Sequence, residues 1–321
     1  MDRRFLRIWL TTILLLAVCS VFLPCTASAD VIHDQTLSAF PLQQKDGSWA
    51  EHAPRPFIDG EMGDGLLEIW FGRISTHDCI IVRCNGEVML IDGGTKGHSN
   101  HTLAFLDQLG VKRIDHMFNT HYHDDHLEAQ VILARIGFPI GRFLTPYDRG
   151  EREEAQVIAE RTMDQAGIPY CTVRNGDTMM LGGENGAQIT FYRWMGNKDP
   201  NMTSMMCKIV YRQRSFFSLA DVTNPAQNDL AKNYLDVIPW DSDIFKVGHH
   251  GYLHQNDQLL SAISPELCII PNGWSASEPC RTQLDRLNLD WYVTSTGTVY
   301  LRTDGGESWQ CVQDKTYLQQ P

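Results

Sequence analysis

The chain has 321 residues, 43% of them hydrophobic and 21% charged, with a formal net charge of -12. That is enough apolar material for a substantial core, and no long like-charge run marks it as disordered. The acid excess disfavours extended nucleic-acid binding, because a negative surface repels a polyanion.

The first thirty residues differ from the rest. Arg3, Arg4 and Arg7 precede an apolar run, Ile8 to Leu23, and Ala27-Ser28-Ala29 supplies a small-x-small cleavage pattern. The run falls short of the roughly 20 apolar residues of a membrane span. Residues 1–29 therefore read as a signal peptide, 30–60 as an irregular, Pro-containing extension, and 61–321 as the functional domain. The expected product is secreted, with no stable membrane span after cleavage and an N-terminal anchor only if the leader is retained. Of nine cysteines, Cys19 and Cys25 leave with the leader. The odd, scattered remainder, with no C-x-x-C, is neither a disulfide framework nor a cysteine zinc site, although Cys79 and Cys84 are spaced so that they could pair.

From Leu66 the pattern becomes regular. Leu66–Phe71 and Cys79–Cys84 read as strands, Asn85-Gly86 as a hairpin turn and Val88–Ile91 as the returning strand, ending at Asp92-Gly93-Gly94. Thr102–Leu109 suits a helix ended by Gly110, and Ile114–Asn119 a short strand. Helices are expected at Leu127–Ile136 and Glu151–Ala166. Strands follow at Ala187–Phe191, Met205–Tyr211 and Phe216–Leu219, a helix at Asp229–Leu235, and a strand at Ile244–Val247. Gln258–Ile263 and Gln283–Leu287 read as helices around the strand Leu267–Ile270, and Trp291–Ser295 and Thr298–Arg302 close the domain as strands. Alternating strands and helices in two similar halves favour two sheets packed face to face with helices outside.

The chemistry concentrates in Thr120-His121-Tyr122-His123-Asp124-Asp125-His126, directly after a strand. Imidazole and carboxylate together suit zinc, iron or manganese. His121 and His123, two apart on an extended segment, can point the same way; Asp125 and His126 can reach a second metal beside the first. Two adjacent metals can clamp an oxyanion and lower the pKa of water. Asp221 ends the apolar run Phe216 to Ala220 and is the candidate bridge. His249 and His250 follow Ile244–Val247 in the same strand-then-ligand manner. His249 is taken as the ligand, and His250 as a group that holds substrate or donates a proton. Asp92, before two glycines, is expected to orient a ligand histidine. His98 and His101 read as surface histidines, and Tyr252, Trp274 and Trp291 as core aromatics that could instead form a wall of the site.

Leu90-Ile91-Asp92-Gly93-Gly94, then His121-x-His123-x-Asp125-His126, then Asp221, then His249, resembles the metallo-β-lactamase superfamily in order and spacing over roughly Leu66 to Val312. The resemblance implies an α/β fold, the αββα sandwich of two mixed sheets, with one or two Zn2+ ions (or Mn2+ or Fe2+) at one edge. One departure is informative: residues 127 to 248 contain no histidine, where β-lactamases and glyoxalase-type members place a further ligand. Asn201-Met202-Thr203-Ser204, Lys246-Val247-Gly248-His249-His250-Gly251, Ser264-Pro265-Glu266, Gly297-Thr298-Val299 and Asp304-Gly305 resemble the hydrolase domain of ComEC-type DNA-uptake proteins and the secreted phosphorylcholine esterases. Ala220-Asp221 stands where those relatives have Gly-Asp. The expectation is an exported metal-dependent hydrolase that cleaves a small-molecule or cell-envelope phosphodiester, with Asp125 and His250 as its catalytic groups. The alternatives are an ester, lactone or β-lactam hydrolase of the same fold, and a non-catalytic extracellular metal-binding module.

Overall fold

Asn85 and Gly86 both adopt positive φ, 45° and 84°, the conformation a two-residue hairpin turn needs. They join β2 (Ile80–Cys84) to β3 (Glu87–Ile91), and β2 pairs on its other side with β1 (Leu67–Phe71), antiparallel throughout. A computed structural model of the chain describes residues 65–74, 76–150 and 153–314. The expected signal peptide and extension lie outside the described residues. Among the described residues, no helix is long and apolar enough to cross a membrane.

After β3 the connections become right for parallel pairing, since each strand is followed by a helix. Helix α1 (Ser99–Gln108) leads to β4 (Ile114–Phe118), α2 (Asp124–Arg135) to β5 (Ile140–Thr145), and α3 (Glu154–Gln165) to β6 (Tyr170–Thr172). Strands β3 to β6 are mutually parallel. Two late strands, β14 (Thr298–Thr303) and β15 (Gln310–Asp314), return to β1 and complete an eight-stranded sheet ordered β15-β14-β1-β2-β3-β4-β5-β6.

The second sheet has seven strands. Its antiparallel part is β7 (Thr178–Leu181), β8 (Ala187–Tyr192), β9 (Met206–Tyr211) and β10 (Arg214–Ser218). Its parallel part continues from β10 through β11 (Ile244–Lys246) and β12 (Leu267–Ile270) to β13 (Asp290–Val293). Helices α4 (Asn224–Asn233), α5 (Asp257–Ile263) and α6 (Glu278–Arg286) make these crossovers.

Three apolar clusters define the layers. One lies between the sheets, where Phe118 meets Phe191 edge-on at 5.0 Å and Phe71 meets Phe216 at 6.0 Å. One packs the first sheet against α1 to α3, and one packs the second against α4 to α6. The result is the helix–sheet–sheet–helix sandwich expected from the sequence.

Several elements differ from the sequence reading. Helix α2 begins at Asp124, not Leu127, so Asp125 and His126 sit in its first turn, where a carboxylate suits the positive end of the helix dipole. Helix α4 begins at Asn224 rather than Asp229, with Pro225 in its first turn, and α6 at Glu278 rather than Gln283, with Pro279 there. Strands β5, β6, β7 and β15 were not anticipated. All seven described cysteines are free, so Cys79 and Cys84 do not pair; five are buried, and Cys171 and Cys311 are half-buried.

Candidate metal centre

The parallel strands put their carboxyl ends on one edge of the sandwich, where ligands of such sheets collect. Asp92 follows β3, the 119–123 loop follows β4, Ala220-Asp221 follows β10 and the turn Gly248–Gly251 follows β11. Because β2 runs antiparallel to β3, with Ile80 opposite Ile91, the residues preceding β2 arrive at this same edge. They include Asp78, which the sequence reading missed.

Asp92 is fully buried and every lone pair it presents is used. Its Oδ1 accepts from the Thr120 backbone N–H at 2.8 Å and from the Asn119 side-chain amide at 3.4 Å. Its Oδ2 accepts from the Thr120 hydroxyl at 2.7 Å and from His126 Nδ1 at 2.8 Å. This arrangement fixes two tautomers. When neutral, His126 keeps its proton on Nδ1, so Nε2 then presents a lone pair. The Thr120 proton is committed to Asp92, so at the 3.1 Å contact between Thr120 Oγ and His121 Nδ1 the imidazole must donate. His121 Nε2 is therefore also a lone-pair nitrogen, and it faces His123 Nδ1 at 3.1 Å.

Asp221 Oδ2 stands at the centre. His126 Nε2 lies 3.2 Å from it, His250 Nε2 3.1 Å and His121 Nε2 4.0 Å. Asp125 Oδ2 is 3.4 Å from His250 Nε2 and 3.7 Å from His126 Nε2. One ligand atom from each of Asp125, His126, Asp221 and His250 falls within 4.8 Å of all the others. Although close to carboxylate oxygens, the buried Nε2 atoms of His126 and His250 have no aligned hydrogen-bond partner, and Asp221 Oδ1 has none either. Buried polar atoms of that kind call for an explanation. Two imidazoles and two carboxylates converging without hydrogen bonds fit a divalent cation of the zinc, iron or manganese type.

The charges are tuned by the same contacts. Burial alone would lower the pKa of His126, but Asp221 and Asp92 hold it up, at about 10. Burial likewise opposes protonation of His250, and Asp221 and Asp78 raise it well above 6.5. His121 goes the other way: burial, reinforced by repulsion from His126, depresses it strongly. Burial pushes Asp221 up, but His250 and His126 hold it well below the carboxylate range. Metal-free, the two imidazolium groups occupy the place of cationic charge.

The turn after β11 places its two histidines differently from the sequence reading. His249 (φ 47°, ψ 50°) and His250 (φ 52°, ψ 11°) are both left-handed, and Gly248 is required because a Cβ there would lie 2.5 Å from the Val222 carbonyl oxygen. The two rings therefore diverge. His250, expected to face substrate, is 1% exposed and joins the carboxylates. His249, expected as the ligand, is half-buried with Nε2 3.3 Å from the Asn201 amide.

Two further groups complete the surroundings. Lys246 is fully buried and its Nζ lies 2.5 Å from Asp78 Oδ2, 3.6 Å from Asp221 Oδ1 and 2.6 Å from the Ala220 carbonyl oxygen it donates to. His77 Nδ1 is 3.9 Å from Asp125 Oδ2, and its ring is 4.3 Å from that of His98, which in turn is 5.9 Å from His101. His98 and His101 thus form one cluster with His77 rather than scattering over the surface. Of the three aromatics, Tyr252 stands over His249 and His250 at 5.4 and 6.0 Å, whereas Trp274, which is exposed and not a core residue, and Trp291 pack against each other at 5.7 Å with Arg281 beside both rings at 3.9 and 5.5 Å.

Fold and site together define a class, and comparison with known proteins gives it a family. The chain belongs to the metallo-beta-lactamase superfamily, whose family model matches residues 73–255, and carries a His/Asp cluster suited to a divalent metal. Over 102 residues it is 33% identical to the 4-amino-L-phenylalanyl-(CmlP-peptidyl-carrier-protein) 3-hydroxylase of Streptomyces venezuelae; the match takes in 30% of this chain and spans only 17% of that protein. Among solved structures it is similar to Igni18, a metallo hydrolase of the archaeon Ignicoccus hospitalis, at 15% identity and a TM-score of 0.43 over 73% of this chain and 98% of that one. It is also similar to a diphosphatase of the PhnP family, at 12% identity and a TM-score of 0.44 over 71% and 94%. A metallo-beta-lactamase of Cronobacter sakazakii with a HARLDQ motif matches at 15% identity and a TM-score of 0.41 over 56% and 77%.

Proposed function

We propose that the chain is an exported metal-dependent phosphodiesterase acting on a small-molecule or cell-envelope phosphodiester. The observation that carries this reading is the ligand set: Asp221 Oδ2 central to three imidazoles, and no histidine between residues 127 and 248 to supply the extra nitrogen of β-lactam-cleaving relatives.

In this reading His121, His123, Asp125, His126, Asp221 and His250 would hold one or two divalent cations. Zn2+ is the first choice, with Mn2+ or Fe2+ also compatible with these donors. When bound, such a cation supplies Lewis acidity and lowers the pKa of water to near neutrality. The side chains do the rest. Asp92 holds His126 Nδ1 and, through Thr120, His121 Nδ1, so that lone pairs and not protons face the centre. Asp125, with its side chain 26% exposed, is the carboxylate of the cluster that reaches the opening, and it takes the proton released by the attacking water. His250 is enclosed and serves as a ligand rather than as the group that meets the leaving oxygen. The acidic surface disfavours extended nucleic acid, which leaves compact phosphodiesters.

Purified protein loaded with Zn2+ or Mn2+ should hydrolyse bis-p-nitrophenyl phosphate in preference to the monoester, nitrocefin and lactones. Turnover of nitrocefin or a lactone with none of the diester would move the substrate to the acyl class. Export rests on the leader pattern of residues 1–29, and N-terminal sequencing of the mature protein should begin after Ala29.

A further inference from the structure

We propose that Asp78, held in place by Lys246, is the positioning residue that makes His250, and not its neighbour His249, the ligand contributed by the turn after β11. The inference rests on the metal-centre reading above and is independent of the substrate class.

Two carboxylate–histidine pairs flank Asp221. In the first, Asp92 holds His126 Nδ1 at 2.8 Å and sends Nε2 to within 3.2 Å of Asp221 Oδ2. In the second, Asp78 Oδ1 lies 3.4 Å from His250 Nδ1, and the opposite nitrogen of that ring is 3.1 Å from the same Asp221 oxygen. A ligating imidazole needs its other nitrogen held, both to fix its orientation and to raise its basicity. His250 has a carboxylate beside that nitrogen, in ion-pair range although the two atoms are not aligned as a hydrogen bond. His249 meets a neutral amide instead.

Asp78 could not do this alone. It is 1% exposed and carries charge into a dry interior, which is tolerable only beside a counter-charge. Lys246, 0% exposed, provides it. The same ammonium donates to the carbonyl of Ala220, whose φ of 47° is strained for a non-glycine residue, and that carbonyl also accepts the His249 backbone N–H at 3.1 Å. One buried cation thereby ties the holder of His250, the residue before the bridging Asp221, and the backbone that turns His249 away. This is a division of labour across the sandwich: Asp78 comes from the first sheet and Lys246 from the second.

The test compares wild type, Asp78→Asn, Asp78→Asn/Lys246→Met, His249→Ala and His250→Ala as full mature chains. It measures metal content after gel filtration, affinity by chelator competition, the visible spectrum of the Co2+-loaded protein, and thermal melting of the metal-free form. Asp78→Asn should weaken the affinity by roughly 10- to 100-fold and shift the cobalt bands. His250→Ala should lose that metal altogether, and His249→Ala should keep wild-type content and spectrum. If Asp78→Asn strands the lysine charge and melts early, the double substitution removes both charges, restores the melt and still shows the weakened affinity. Wild-type affinity and cobalt bands in both Asp78 variants would overturn the proposal, leaving Asp78 a purely structural residue. So would loss of metal from His249→Ala. Failure of the phosphodiester reading would show only in the substrate panel, with these metal measurements unchanged.

Discussion

The loop after β4 delivers three histidines and an aspartate from six consecutive residues and leads into a regular helix, His123 being its extended N-cap. The turn after β11 delivers one histidine of an adjacent pair, with both histidines in the left-handed region. The first loop takes its order from one neighbouring carboxylate, Asp92, which accepts four local donors. The second depends on charges reaching it from two sheets, Asp78 and Lys246. A dense motif can be read in sequence because its neighbours are near in the chain. A ligand fixed by distant partners cannot.

The comparison can be broken by removing the distant support. Lys246→Met leaves Asp78 without its counter-charge in a dry interior, and breaking a buried pair on one side costs about 3–5 kcal/mol. Urea unfolding of the metal-free protein should show that loss; a change under about 1 kcal/mol would mean that the second loop does not lean on the lysine. Next in size is Asp92→Asn, the matching cut in the first loop. It should lower metal affinity by roughly 10- to 100-fold, because an amide can donate to His126 Nδ1 and release the tautomer that Asp92 imposes. Chelator competition reads this directly.

pH sharpens the comparison, since each loop contributes a histidine titrating upward of its ordinary value. Burial lowers His126, yet Asp221 and Asp92 carry it from 6.5 to about 10, and His250 is raised by Asp221 and Asp78. A raised folded-state pKa stabilises the protonated folded form. The contribution is complete below pH about 6.5 and drains away as pH climbs toward 10. The melting temperature of the metal-free protein should fall over that window, whereas bound metal, which replaces the protons, should flatten the profile. A flat metal-free profile would show that these imidazoles are neutral. The smallest effect is expected from Ala220→Gly. Relief of the left-handed strain and the greater freedom of the unfolded chain oppose each other, so stability should move by no more than about 1 kcal/mol.

The two-sheet architecture, the hairpin at Asn85-Gly86 and the strand-end segments that bring Asp125, His126, Asp221 and His250 together were legible, because periodicity and strand-end motifs are local signals. The strands that escaped are those whose burial is uneven. Thr178–Leu181 lies at a sheet edge with two exposed residues, Gln310–Asp314 has an exposed first residue and no fully buried one, and Ile140–Thr145 is interrupted by Gly141 and Arg142. The displaced helix starts had a signal in Pro225 and Pro279 that outranks apolar spacing. For Lys246 a clue existed: a lysine inside the apolar run Ile244-Phe245-Lys246-Val247 has to be paired with something. Asp78 offered none, since one aspartate ahead of a strand is ordinary. Which ring of the 249–250 pair faces the carboxylates depends on a left-handed turn and on partners distant in the chain, which the identity of two adjacent histidines does not disclose.

The seven described cysteines, none of them in a disulfide, give the molecule a built-in stopwatch. Burial raises the Cys79, Cys207 and Cys280 thiols to about 12 and Cys84 to about 11, so in the native fold these sulfurs are both hidden and protonated. A thiol reagent should therefore modify Cys171 and Cys311 first, and the remainder only as fast as each layer of the sandwich opens. Cys79 and Cys84 report on the first sheet, Cys207 and Cys268 on the second, and Cys280 on its helical cover. The order in which they gain label would time the disassembly of the layers without any engineered probe.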